Sequence, residues 1–333
     1  MKNSYDIIII GSGSGGLGAS CWTSQYTEDY LVVEAGDKLP LNLHNGVHYL
    51  HSVPMLPFNP SIKEITLTDG IIMHDGSIKH DVTLEDALSY SKKVREIQHP
   101  SSIMEIGKRN KAFLPPSNTL NSLLTEMFDH SGYEHFEFDK KVSKIDLKGS
   151  VTIDGEEYKF KYLINTMPLD NFLKLFTEDI DFKFDFKYNP IHVANVGIDN
   201  IVPNWIINLY VPEADEPIYR ISILNGVVSV ESIEQLSDTY IRRKLPYLLK
   251  HFQINLDSIE KYDWEKGKII SMDIDSRKDL LEELSEYNIF TLGRFGLWNR
   301  KLLVDSTINQ ADKIIEHIYG GLPKRDLINF LSK

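Results

Sequence analysis

Apolar residues along the chain change their spacing several times, and each change predicts a different element. Residues 5–10 end in four consecutive isoleucines, Ile7 to Ile10, the signature of a parallel strand buried on both faces. A helix through Leu17, Ala19 and Trp22 follows, then a second apolar strand over 30–33. Residues 37–82 contain Pro40, Pro54, Pro57 and Pro60 with turns at Asp69-Gly70 and Asp75-Gly76, so they are expected to be irregular. Thr83, with Asp86 three residues on, reads as the N-cap of a helix over 84–98, whose Lys92, Lys93, Arg95 and Glu96 form a solvated face. A second helix is expected over 118–130, stopped by Gly132.

From residue 133 the period falls to two. Glu134/Phe136/Phe138, then 142–147, 151–153 and 158–160, predict a strand meander with an Asp154-Gly155 hairpin turn. A short apolar strand over 162–166 and a helix through Phe172 and Phe176 come next. Four strands are expected at 192–198, 205–211, 218–224 and 227–231, and helices at 237–252 and 277–287. A final strand over 288–292 and a helix over 305–318 close the pattern. Strands and helices alternate at both ends with antiparallel sheet between, which predicts an α/β fold with a nucleotide-type domain built from both chain ends. The expected division is 1–82, 133–170 and 268–333 for that domain, with 83–132 and 171–267 forming a mostly antiparallel α+β substrate domain.

Composition narrows the function classes. With 333 residues, 42% hydrophobic and 25% charged, the chain has ample material for a core. Its formal charge of −12 argues against an extended nucleic-acid surface. Cys21 is the only cysteine, which excludes an internal disulfide, a dithiol redox pair and a cysteine metal site. The isoleucine run is too short for a signal peptide, and nothing approaches the roughly 20 apolar residues of a membrane span. A cytoplasmic protein acting on a small-molecule substrate is the expectation, with the oligomeric state left open.

The turn after the first strand carries the chemistry. Gly11-Ser12-Gly13-Ser14-Gly15-Gly16 satisfies G-x-G-x-x-G through Gly11, Gly13 and Gly16. The first glycine permits the tight turn, the second admits a pyrophosphate to the backbone, and the third lets helix and strand pack closely. The helix N-terminus then faces the phosphates. The second strand ends on Glu34, followed by Ala35 and Gly36, where a carboxylate accepts hydrogen bonds from ribose hydroxyls. The fingerprint implies a dinucleotide without choosing between FAD and NAD. No second G-x-G-x-x-G follows a strand downstream, so a reductant or substrate must reach the cofactor directly.

Three further segments carry a resemblance. Gly46-Val47-His48-Tyr49-Leu50-His51-Ser52, Leu163-Ile164-Asn165-Thr166-Met167-Pro168-Leu169-Asp170 and Asn288 to Trp298 with Gly293-Arg294 resemble, together with the fingerprint, the group of amine oxidases, protoporphyrinogen oxidases and UDP-galactopyranose mutases. The resemblance implies FAD as cofactor, a Rossmann-like FAD-binding domain, and contacts from Gly11, Ser12, Gly13, Gly15, Gly16, Glu34, Ala35, Gly36, Val142, Thr166, Gly293, Arg294 and Asp305. Val142 sits where the group reads adenine through its backbone, Arg294 pairs with the pyrophosphate, and the helix near Asp305 favours negative charge on the reduced flavin. The sequence departs from the group at Leu39-Pro40-Leu41, where a glycine pair is usual, and after Trp298, where the mutases carry tyrosines.

His48, His51 and Arg300 are the candidate catalytic residues, the histidines as an acid/base or positioning pair and Arg300, with Lys301, as an anion contact. Tyr219 and Arg220 open an alternating strand that can face a substrate cavity. No metal is expected, because His48 and His51 lack a third ligand. Three functions stay open: an FAD-dependent oxidoreductase transferring hydride from a small or medium organic substrate, possibly an amine, to flavin N5; a mutase-like flavoenzyme acting on a nucleotide sugar; and a nucleotide-bound protein without catalysis.

Overall fold

Two sheets organise the chain, and the first begins at its N-terminus. The computed structural model describes residues 3–41, 47–95, 110–115, 117, 119–178, 180, 182–198, 205–250, 252 and 254–333. Gly46, Asn118 and the 96–98 end of the helix expected over 84–98 lie outside them. The first elements are β1 (Ser4–Ile10), α1 (Ser14–Thr23), β2 (Tyr30–Val33), β3 (Lys63–Ile72), β4 (Ile78–Lys79), α2 (Leu84–Arg95), β5 (Lys111–Leu114) and α3 (Leu120–Ser131). There follow β6 (Phe136–Glu137), β7 (Val142–Asp146), β8 (Ser150–Ile153), β9 (Glu156–Asn165), α4 (Leu169–Phe172), β10 (Tyr188–Ile198), β11 (Trp205–Tyr210), β12 (Ile218–Leu224) and β13 (Val227–Ser232). The chain closes with α5 (Asp238–Leu248), β14 (Ile254–Ile269), α6 (Ile274–Glu286), β15 (Ile289–Thr291), α7 (Gly293–Gly296), α8 (Val304–Tyr319) and α9 (Lys324–Leu331).

In the first sheet β1 lies between β2 and β9, with β6 outside β2 and β15 outside the C-terminal half of β9, all five parallel. The isoleucine run is explained by burial on two sides. Ile7 and Ile9 face a core shared with α1, α3 and α8, whereas Ile8 and Ile10 face one shared with α6 and the β7–β9 meander. The chain leaves β1 for β2 on one side and reaches β9 on the other. That reversal is the switch point at whose carboxyl edge open α/β sheets bind ligands.

The second sheet has the order β14-β10-β13-β12-β11-β3-β4, with β5 beside β3; β11 and β3 are parallel and the other pairs antiparallel. Helices α5 and α2 cover separate apolar clusters on it. Among the described residues no helix is long and apolar enough to cross a membrane.

Local signals and tertiary pairing diverge in four places. The expected strands at 158–160 and 162–166 are one ten-residue strand, β9. Its N-terminal half pairs antiparallel with β8 and its C-terminal half parallel with β1, so the burial pattern changes midway. Residues 63–72, expected to be irregular, form β3 of the second sheet rather than part of the first. Conversely α3, expected in the substrate domain, packs on α1, where the Cys21 thiol donates to the Met127 carbonyl at 3.0 Å. The 16-residue β14 has no apolar rhythm because it is an edge strand with a largely exposed, charged pattern. The Thr83–Asp86 cap forms reciprocally, and Asp154 and Gly155 both take positive φ, 50° and 86°, in the hairpin turn.

Candidate active site

The fingerprint turn is held by the strands on both sides of β1. Gly11 has φ +93° and its amide donates to the Val33 carbonyl at 2.8 Å. Thr166, just past β9, donates to the Ile10 carbonyl from both its amide at 3.0 Å and its hydroxyl at 2.7 Å. Gly16 must lack a side chain, since a Cβ there would sit 1.8 Å from the Gly11 carbonyl oxygen. A Cβ on Gly15 would fall 2.8 Å from Leu292. Gly13 differs from both. A Cβ on it would meet nothing within 4 Å, so the backbone faces open space. As N-cap of α1, Gly13 supplies no side-chain cap, which leaves the first amides of the helix free to meet an anion.

Glu34 stands at the next corner. Its Oε2 accepts from the amide and hydroxyl of Ser12, both at 2.8 Å, and its Oε1 from the Gly36 amide at 2.9 Å. Three donors fix its position and leave acceptor capacity on the roughly four lone-pair sites of a carboxylate. The chain before β7 runs alongside: Asp139 donates to Gly36 at 2.9 Å and Lys140 to Glu34 at 3.0 Å, backbone to backbone. This brings Ala35 and the buried Val142 to the same end of the sheet.

A cleft of about 510 Å³ opens along the carboxyl edge of the first sheet and is closed by β14 of the second. Its first wall comprises Gly13, Ser14 and Gly15, then Thr166 and Pro168, then Gly293 and Arg294. Its opposite wall contains His48, Tyr49, Trp264 and Gly267, and α8 contributes Val304 and Thr307. His48 stacks on Trp264 with ring centroids 5.8 Å apart. Tyr49 accepts from the Asn208 side chain at 2.8 Å, and burial, followed by the charges of Tyr210 and Asp69, pushes its hydroxyl pKa upward. Gly293, at φ +84°, donates its amide to the Gln310 side chain at 2.9 Å. Arg294 is anchored through Nε to the Leu302 carbonyl at 2.9 Å. Burial draws its pKa down to about 10, with Arg95 and Arg220 adding and Glu231 opposing.

Of the predicted residues, Gly13, Gly15, His48, Thr166, Gly293 and Arg294 line the cleft; Gly11, Ser12, Gly16, Glu34, Ala35, Gly36 and Val142 stand away from the lining, and so do three more. His51 leans on the Tyr49 ring at 5.0 Å. Arg300 donates its amide to the Ser271 hydroxyl at 2.9 Å, and burial and then Arg95 lower its pKa. Asp305 is buried in the first turn of α8, with its carboxylate taken up by Ser52. Among the described residues no group of three or more His, Cys, Asp or Glu could hold a metal ion. Trp264 and Gly267 went unnoticed in the sequence because β14 has no apolar period, and Leu124 and Thr307 because helix periodicity does not show which helix positions face the cleft.

No family model and no curated protein matches the chain in sequence. Solved structures do match in three dimensions. A reduced UDP-galactopyranose mutase superposes with TM-score 0.70 at 18% identity, over 98% of this chain and 96% of that one. A CLA-producing fatty acid isomerase from P. acnes gives 0.61 at 13% identity, over 96% and 100%. An oxidoreductase from Methanosarcina mazei gives 0.61 at 11% identity, over 95% and 100%. The whole chain therefore has the mixed α/β fold that is shared by this mutase, this isomerase and this oxidoreductase.

Proposed function

We propose that the protein is an FAD-dependent enzyme whose cofactor lies along the cleft between the two sheets. The observation that carries this reading is Gly13: an uncapped helix start beside a backbone with nothing in front of it fits a pyrophosphate. In this reading the first sheet with α1, α3, α6 and α8 is a Rossmann-like cofactor unit, and the second sheet with α2 and α5 shapes the substrate side. Gly11 to Gly16 and the start of α1 hold the pyrophosphate, and Arg294 adds a fixed positive charge. Glu34 accepts the ribose hydroxyls, with Ala35, Gly36 and Val142 bordering the adenosine end. The N-terminus of α8 lends its dipole to the other end of the cleft. A bound flavin would supply hydride acceptance at N5. His48, stacked on Trp264 in the cleft wall, is placed to take up or release a substrate proton at its imidazole, while Trp264 and Tyr49 exclude water. His51 and Arg300 take supporting positions.

The leading reaction is dehydrogenation of an organic substrate. A non-redox rearrangement of a nucleotide sugar is the second reading, favoured by the 0.70 TM-score with the reduced mutase. The absorbance spectrum of the purified protein tests the cofactor, and a colourless protein that releases NAD overturns it. Substrate that bleaches the flavin without oxygen supports the oxidoreductase. Turnover only after prior reduction, with no net electron consumption, supports the rearrangement.

A further inference from the structure

Beyond the cleft wall lies a buried group of charges, of which the cofactor reading uses only Arg294. Arg220 on β12 makes an ion pair with Glu231 on β13. The Tyr219 hydroxyl donates to the other Glu231 oxygen at 2.5 Å. Lys268 on β14 places Nζ 3.6 Å from that oxygen and 4.7 Å from the centre of the Tyr219 ring. Arg95, at the end of α2, and Arg294 lie within electrostatic reach of Lys268 as well. Among the described residues, Arg220 and Lys268 thus meet one carboxylate, with Arg95 and Arg294 acting on Lys268 through space.

This excess positive charge is not a surface patch. Glu231 is 5% exposed and Lys268 15% at the side chain. The Nε atoms of Arg95 and Arg220 are buried without a hydrogen-bond partner among the described residues. Arg220 nonetheless keeps 22% of its side-chain surface accessible. The cluster touches the cleft at two points: Arg294 lines it, and Tyr49, which also lines it, lies within reach of Arg220. Burying like charges with too few partners is costly. Here the excess occurs in a chain with formal charge −12.

We propose that Arg95, Arg220 and Lys268 form the subsite for a dianionic group on the substrate, with Glu231 holding Arg220 and Lys268 in place and Arg294 bordering it from the cofactor side. The proposal rests on the cleft being the reaction site, and it names the chemistry of the molecule entering from the second sheet: a phosphate, sulfate or dicarboxylate, not a cationic amine. With Arg294 given to the cofactor, Glu231 leaves two positive charges among these three cations, and a dianion balances them.

A proton is coupled to this binding. Lys268 faces Glu231 on β13, Tyr219 and Arg220 on β12, Arg95 on α2 and Arg294 beyond β15. Burial lowers its pKa to about 7, Glu231 opposes this, and the three arginines reinforce it. A dianion beside Nζ favours the ammonium form, so Lys268 takes up a proton as the ligand enters.

Titration calorimetry with inorganic sulfate, on the purified protein with its flavin content recorded, tests the assignment. Sulfate stays a dianion across neutral pH, so any pH dependence belongs to the protein. Saturable binding is expected. Its affinity should fall by up to about tenfold per pH unit above 7, as one coupled proton requires. Lys268→Met should weaken binding at least tenfold and remove the pH dependence. The double variant R220Q/E231Q, which leaves no unpaired carboxylate, should weaken it similarly, with near-UV circular dichroism checking the fold. Absence of saturable binding, or unchanged affinity in Lys268→Met, overturns the subsite. Binding lost only in Gly13→Val overturns it too, because the anion then occupies the fingerprint turn. A protein without flavin that still binds sulfate through Lys268 keeps the subsite and sinks the FAD reading instead.

Discussion

Asp305 and Ser52 are joined by two hydrogen bonds across 253 residues of chain: one carboxylate oxygen accepts the Ser52 amide at 2.9 Å and its hydroxyl at 2.7 Å. Four residues along α8, Asn309 accepts the Met55 amide at 2.7 Å. The helix that ends at the cleft thereby clamps the segment carrying His48. An acid at the start of a helix reads in sequence as a cap or a cofactor contact, whereas here it positions the opposite wall.

Asp305→Ala should accordingly loosen residues 47–55 without disturbing either sheet. Losing two hydrogen bonds to a buried carboxylate is worth about 1–3 kcal/mol. Hydrogen exchange should accelerate in that segment and remain unchanged in β1 and β9. Unchanged protection at 47–55 would show that other contacts hold it.

Two glycines of the same turn should respond in opposite ways, because close Cβ contacts force backbone movement while open space does not. Gly13→Val should fold with melting temperature little altered, because its Cβ meets nothing within 4 Å, yet it should lose flavin retention. Gly16→Ala should fail earlier, since its methyl would be 1.8 Å from a backbone oxygen. Thermal melts and flavin absorbance of both proteins decide the matter.

Glu34→Ala should weaken FAD retention by roughly one to two powers of ten, the weight of a charge-assisted hydrogen bond of about 1.5–3 kcal/mol. Fluorescence titration of the flavin-stripped protein measures it. Retention equal to the parent protein would remove Glu34 from the ribose site.

Stability should depend on pH through the buried cluster, rising with pH in two separate windows, one set by Glu231 and one by Lys268. Burial alone would raise Glu231, but Arg220 and Lys268 outweigh it and hold the carboxyl at about 2, against an ordinary 4.5. Its contribution is complete above 4.5 and fades as pH falls from there toward 2. Lys268 is depressed from 10.5 to about 7. Between those values the unfolded chain binds a proton that the folded one lacks, so stability rises with pH across that window. Lys93 is lowered in the same sense, by burial, to about 8. Lys268→Met should therefore stabilise the protein near pH 7 and flatten, without abolishing, the rise toward pH 10. Denaturant melts at several pH values test this, and a steeper rise in the variant would reverse the assignment.

Much of the first sheet was legible from local rules. The isoleucine run, the glycine spacing, Glu34, the Asp154-Gly155 turn and the Thr83–Asp86 cap each express preferences of a few adjacent residues, and such preferences survive in any fold that accommodates them. The second sheet was less so. Residues 63–72 looked irregular, and β14 was silent because nearly all positions of this edge strand are partly or fully exposed, so burial imposes no apolar period on it. Arg95 read as part of a solvated helix face, and only its proximity to Lys268, Arg220 and Arg294 shows otherwise.

The dinucleotide fingerprint and the α/β class thus reside in the order of residues along the chain, since turn geometry and strand burial are decided within short stretches of backbone. The cleft, the Asp305–Ser52 clamp and the cation cluster reside in the folded molecule alone. Charge effects act through space across a low-dielectric interior. Residues 95, 220, 231, 268 and 294 become one electrostatic unit only when α2, the second sheet and the turn after β15 are packed together.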